Sequence, residues 1–305
     1  MRAPAEPREV AIEIRAAPRE SLPRRLLRLA VSDRFASAGL VIYAAFILVA
    51  LFADQIATHD PLEILFRANG RVAANMAPDG TFLLGTTNLG RDVFSQTVYG
   101  ARSALIVGLS AAVIVVVIGT IVGLLAGYFG RWIDTALMRL ADIALAIPFL
   151  PFVIVLTAFL RPSTKNVVIA VACLLWANTA RVVRAQVLTV RERAYVEAAR
   201  VTGASDMRII FSHVAPNILP ISFLYGSIVI GWAIFAEATV SFIGLGPTDT
   251  VSWGFMLQDA FVSQALSRGS YHWFVPPGVC IMLVVAAGFF LSRGYEELLF
   301  PKLRD

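Results

Sequence analysis

Charge is scarce along this chain and lysine is almost absent. Only 15% of its 305 residues are charged, and the lysines are Lys165 and Lys302 alone. Neither follows a glycine, so there is no Gly-x-x-x-x-Gly-Lys-Ser/Thr loop to cradle the phosphates of a nucleotide. The two cysteines, Cys173 and Cys280, sit in apolar stretches and read as small lipid-facing or helix-facing residues rather than a disulfide or a metal pair. His59, His213 and His272 lie far apart on separate polar stretches, which gives no metal spacing. No nucleophile with an adjacent base stands out either. These absences argue against an enzyme, and against a chain that could hold ATP and its magnesium by itself.

What is present is apolar residue in blocks, 58% of the chain. A bilayer core is about 30 Å thick and a helix rises about 1.5 Å per residue, so a span needs roughly 20 apolar residues. Six segments reach or approach that length: Phe35 to Ala53, Ala104 to Phe129, Leu137 to Leu160, Val167 to Leu188, Ile218 to Ile243 and Phe274 to Leu291. The fourth is the shortest in effect, because its uncharged run ends at Ala180, before Arg181 and Arg184. The first is too long for the core of a secretory signal and follows a long charged leader, so it reads as a retained anchor. The expected fold class is an all-α membrane protein with six transmembrane helices. Its divisions are a cytoplasmic Arg-rich tail over 1–34, a first span over 35–53, an extracytoplasmic segment over 54–100 and a five-helix core over 101–305.

Orientation follows from arginine. With the N-terminus inside, nineteen of the twenty-six Lys and Arg fall in inside segments, eight of them before residue 35 and six from Arg181 to Arg208; six fall outside, with Arg102 at a boundary. The positive-inside rule then puts both termini and the loop at residues 189–220 in the cytoplasm. The net charge of +5 needs no nucleic-acid partner, since the lipid bilayer and its topology account for it.

Five features carry chemistry. In loop 189–220, Ala198 and Ala199 leave one side of a short helix bare, Glu197 is its anionic handle, and Gly203 supplies a position where positive φ is cheap. Met207, Ile210, Phe211 and Val214 then fall at i, i+3, i+4 and i+7, a single apolar stripe that Pro216 and Pro220 end. In the second span Gly119 and Gly123 stand four apart, marking close helix packing, either within this chain or at a moving interface. Pro148 and Pro151 should kink or break the third span, with or without lining a pathway. Glu237 is an acidic residue within an apolar span. It lies about 28 Å along a helix begun at Ile218, so it either reaches the outer interface, lines a pathway or pairs helices. Trp232, Trp253, Tyr271 and Trp273 fit an aromatic belt near that level. Arg91 and Asp92, in the turn that leads into the second span, either pair locally or belong to a receiving surface.

The loop Glu197-Ala198-Ala199, Gly203, Ile218-Leu219-Pro220 resembles the EAA loop of ABC importer permeases. Leu84-Gly85-Thr86-Thr87-Asn88-Leu89-Gly90-Arg91-Asp92-Val93-Phe94, Tyr99-Gly100-Ala101-Arg102, Ser241-Phe242-Ile243-Gly244-Leu245-Gly246 and Ser252-Trp253-Gly254 resemble, in family order, the second permease subunit of dipeptide and oligopeptide importers. Thr87 departs from the pattern, which commonly has an acidic residue there. The resemblance covers roughly residues 35 to 305. It implies a permease in the cell inner membrane, working with two ABC ATPase subunits that hold ATP and magnesium, a second permease and an extracytoplasmic substrate-binding protein. It also implies that Glu197, Ala198, Ala199 and Gly203 couple to the ATPase while Met207, Ile210 and Phe211 pack the second helix against the span ends. Relatives carry peptides, nickel complexes, glutathione or oligosaccharides, and no residue discriminates among these. The competing reading is a self-sufficient secondary transporter or channel with Glu237 as its ion site, for which no inverted repeat stands out.

Overall fold

The computed structural model describes residues 33–247 and 250–299, and the expected tail over 1–34 lies almost wholly outside the described residues. The described residues are helical apart from turns and two isolated bridges, Phe66 with Val72 and Thr86 with Asp92. The helices are α1 (Arg34–Leu51), α2 (Ala53–Ile56), α3 (Val93–Phe129), α4 (Arg131–Ala146), α5 (Phe149–Leu160), α6 (Thr164–Arg191), α7 (Ala194–Val201), α8 (Asp206–Ile209), α9 (Ala215–Phe242), α10 (Trp253–Val262) and α11 (Tyr271–Leu299). Among them, five continuous helical rods are long and apolar enough to cross a membrane, and the bent pair α4–α5 makes a sixth.

The second span is longer than its apolar run. Asp92 caps α3 by accepting from Ser95 N, so the helix starts at Val93, eleven residues before the expected Ala104. At 37 residues and about 1.5 Å per residue it exceeds the roughly 30 Å bilayer core. Its first turns therefore belong to the polar segment that precedes it. Down its length Gly119, Gly123 and Gly127 face Thr179, Val183 and Val187 of α6, and a Cβ at these glycines would sit 2.6, 2.6 and 2.7 Å from those side chains. Two i, i+4 ridges thus interlock at backbone distance, and the small-residue stripe is a seam within this chain.

The third span is broken, at one of the two expected prolines. α4 and α5 meet at 85°, where Ile147 is extended as a residue before proline must be and Pro148 caps α5. Pro151 causes no kink. It lies in the first turn of α5, where its missing N–H has no helical acceptor to lose. α4 is fastened to α6 by charge: Arg184 pairs with Asp134 and Arg181 with Asp142.

The fifth span departs most from the expected pattern. α8 runs through a π-helical turn at Ile210–Val214 straight into α9, with Pro216 in the first turn of α9 and Pro220 inside it. Ala215 N–H donates to Ile210 O, a five-residue step that relieves the clash Pro216 would cause with an α-helical carbonyl. Asn217 Nδ2 donates to His213 O at 2.7 Å. The two prolines therefore do not end the helix, and Asp206–Phe242 is one rod.

The expected aromatic belt loses two of its four members. Trp232 and Tyr271 are exposed, but Trp253 and Trp273 are core residues, with Trp253 Nε1 donating to Thr97 O at 2.9 Å. Cys173 is exposed and Cys280 half-buried, and both are free thiols.

Candidate docking site on the loop between α6 and α9

α7 and α8 form a hairpin clamped on one side only. Val196 is the buried residue of α7, and it belongs to the apolar cluster that also holds Leu124 and Tyr128 of α3 and Val183 and Val187 of α6. The turn after α7 follows a defined geometry: Gly203 N–H donates to Arg200 O at 3.1 Å and Ala204 N–H to Ala199 O at 3.0 Å. This is the paired bonding of a Schellman cap, which demands left-handed backbone at Gly203, and φ there is +82°. Ala199 and Ala204 both pack on the apolar cluster beneath, as the contact between those two cap positions requires. Ser205 then caps α8, its Oγ accepting from Arg208 N.

One polar link fixes the hairpin to the long helices, and a second ties the ends of α3 and α6 to each other beside it. Tyr128 Oη donates to Asp206 Oδ1 at 2.7 Å. Arg191 Nη1 donates to Gly127 O at 2.7 Å, placing a cation against the last turn of α3, where the helix dipole favours it. Arg191, Glu192, Glu197, Arg200 and Tyr128 together line a polar cleft of about 440 Å³. Tyr128, Arg191 and Asp206 had no sequence signal beyond their position at the ends of periodic runs.

The outer side of the hairpin is where the expected residues divide. Ala198 and Glu197 are exposed and Ala199 is half-buried. Ile210 is buried with Ile209 and Val214, but Met207 and Phe211 point away, 52% and 68% exposed. The expectation that Met207, Ile210 and Phe211 all pack against the span ends therefore holds for Ile210 only. Tyr195 and Val201 join Met207 and Phe211 as exposed apolar side chains on this otherwise polar hairpin.

The other expected residues lie elsewhere. Asp92 does not pair with Arg91: its carboxylate is buried, capping α3 and accepting from Ser95 Oγ at 2.6 Å and Thr58 Oγ1 at 2.9 Å. Arg91 instead acts on Asp259 of α10, opposing the upward pull that burial exerts on that carboxyl. Glu237 neither reaches water nor faces a groove. It is 1% exposed, and Ser241 Oγ donates to it at 2.6 Å. The start of α10 folds back over this part of α9, with Gly254 set against the Ala238 backbone. Beside the break at Pro148, Phe149, Leu175, Asn178, Arg181, Tyr225 and Trp232 line a mainly apolar groove of about 470 Å³.

Comparison with known proteins agrees in one direction. The chain is 36% identical over 277 residues to the dipeptide transport system permease protein DppC of Alkalihalophilus pseudofirmus, covering 90% of this chain and 88% of that one. It is 36% identical over 276 residues to the oligopeptide transport system permease protein OppC of Bacillus subtilis, covering 90% and 87%. A putative peptide transport system permease protein of Brucella abortus is 35% identical over 284 residues, covering 92% and 91%. The family of binding-protein-dependent transport system inner membrane components matches residues 119–305. By that match, and by the extent of its likeness to these permeases, the chain belongs to the family of binding-protein-dependent transport system inner membrane components.

Proposed function

We propose that this chain is one of two membrane-spanning subunits of an ATP-driven peptide importer, and that the α7–α8 hairpin is the surface through which a separate ATPase subunit drives it. The observation that carries this reading is the asymmetry of the hairpin. One side is fixed to α3 and α6, while Tyr195, Val201 and Met207 of the hairpin, and Phe211 in the turn that follows it, stay exposed. Exposed apolar residues gathered on a polar loop mark an interaction surface. Ala198 beside them lets a partner's backbone approach closely.

The continuous rod supplies the mechanism. Because α8, the π turn and α9 form one helix of 37 residues, displacement of α8 tilts α9 along its whole length instead of being absorbed at a helix end. α9 carries Tyr225, Ile228, Val229 and Trp232, which line the groove beside the broken span. Alternating access would then follow from ATP binding and hydrolysis on two partner ATPases. A sister permease would complete the pathway, an external binding protein would deliver peptide, and both termini would lie in the cytoplasm. The secondary-transporter reading fails on its own requirement, since Glu237 is sealed from both groove and water.

Phe211→Asp tests the docking surface. The variant should insert normally and lose co-purification of the ATPase and uptake together. A variant that keeps both at normal expression would show the hairpin to be a mere connector.

A further inference from the structure

The Tyr99-Gly100-Ala101-Arg102 motif is not used by the docking hairpin, and its surroundings point to a ligand. Arg102 Nε donates to Ala50 O at 3.1 Å, and its Nη1 and Nη2 grip the two oxygens of Asp54 at 3.2 and 3.1 Å. Tyr99 Oη donates to Asp54 Oδ1 at 2.7 Å. These bonds set an ion pair just beyond the end of α1, at the level where the helix leaves the apolar layer. The pair is open: Arg102 is 38% and Asp54 58% exposed. An arginine has five N–H groups, so two on the Arg102 head remain free of these contacts, as does a share of the Asp54 lone pairs. The Arg102 and Tyr99 bonds hold the Asp54 carboxyl below its ordinary range, so both charges stand at neutral pH.

Directly beneath this pair lies a groove of about 400 Å³ between α1 and α3, walled by Ile47, Leu51, Leu105, Ile106 and Leu109. From Arg102 to Leu109 the groove descends about 10 Å along α3. Its walls are large, flexible aliphatics. The α3–α6 seam, by contrast, is built of glycine at backbone distance. In lipid, helices that meet closely use small residues, so this face of α3 has the character of a surface that meets acyl chains.

We propose that the groove is a binding site for phosphatidylethanolamine, with the phosphate on Arg102, the primary ammonium on Asp54 and an acyl chain along Ile47, Leu51, Ile106 and Leu109. The headgroup is itself a zwitterion, and it matches the protein pair charge for charge. Phosphatidylcholine carries the same charges, but its quaternary ammonium has no N–H to donate to Asp54. Phosphatidylglycerol offers Asp54 no cation at all.

The test is native mass spectrometry of the full-length chain, purified in detergent and offered equal amounts of the palmitoyl-oleoyl forms of the three lipids. The unmodified chain should retain phosphatidylethanolamine over phosphatidylcholine by about threefold, the size expected of a half-exposed ion pair. Asp54→Asn should bring the two to parity, and Arg102→Gln should lower retention of all three. Ile106→Trp touches no polar contact and fills the groove, so it should lower retention of all three even if the polar variants fail to fold. Equal retention of phosphatidylethanolamine and phosphatidylcholine by the unmodified chain would overturn the proposal. So would unchanged retention by Ile106→Trp, or a Leu109→Cys variant that cross-links to a sister permease through this groove.

Discussion

Tyr128, at the last turn of α3, and Asp206, at the first residue of α8, are joined by a hydrogen bond of 2.7 Å across a sequence distance of 78 residues. It is a side-chain contact between the end of α3 and the start of the rod that carries α9. A hydrogen bond to a charged acceptor contributes roughly 1.5–3 kcal/mol where it is shielded from water and less where it is not.

Tyr128→Phe removes this bond and the hydroxyl's interaction with Arg200 of α7, while the ring stays in its apolar cluster. The expected outcome is normal insertion, a cost of about 1 kcal/mol or less in stability, and ATP hydrolysis that proceeds with reduced uptake per ATP. Measuring uptake and hydrolysis on the same reconstituted preparation checks it. An unchanged ratio would mean that α3 and α8 move together without this link.

Much of the fold is legible in the sequence because its causes are local. Gly203 can be placed from sequence, since a helix that stops and turns at once needs left-handed backbone there. Pro148 can be placed as a break because the residue before it is forced out of helical geometry. The face of α8 escapes the sequence pattern for a reason that is also physical. An α-helical count puts Met207, Ile210, Phe211 and Val214 on one stripe, but the π turn at Ile210–Val214 adds a residue to one turn and rotates everything beyond it. The buried row runs Ile209, Ile210, Val214, Ile218, Ile221, and Met207 and Phe211 lie off it. The burial of Glu237 escapes it too, because depth along α9 can be counted from sequence, whereas the return of α10 over that residue is a tertiary event.

Topology is checked by labelling. In a background with Cys173 and Cys280 replaced by alanine, Gly70→Cys and Phe261→Cys should react with an impermeant maleimide added to intact cells. Arg200→Cys should react only after the membrane is opened. All three positions are exposed in the structure, so failure to label would report sidedness and not burial. Labelling of residue 200 from outside would invert the arrangement proposed for the docking hairpin.

Glu237→Gln keeps the shape of the side chain and removes its charge. Gln can still accept from Ser241 Oγ, so the α9–α10 elbow should hold and ATP-dependent uptake should stay within about twofold of the unmodified chain, as expected when a hydrogen bond is replaced by a similar one. Uptake driven by a pH gradient without the ATPase, and lost in this variant, would restore Glu237 as an ion site.

Gly203→Val is the sharpest test of the hairpin. Open space surrounds this glycine, with no atom within 4 Å of the point where a Cβ would stand, so steric crowding by neighbours plays no part. The whole effect comes from φ at +82°, where a β-branched residue is strained by about 1–3 kcal/mol. The Schellman bonds must loosen to relieve it, and with them the placing of α8 against Tyr128. Gly203→Asn supplies the control, since asparagine tolerates left-handed backbone far better. Co-purification of the ATPase and uptake should fall in Gly203→Val and largely survive in Gly203→Asn, with both variants expressed at normal levels. If valine and asparagine behave alike, the conformation of this turn does not govern coupling, and the exposed face of Tyr195, Val201, Met207 and Phe211 must dock in some arrangement that the turn does not set.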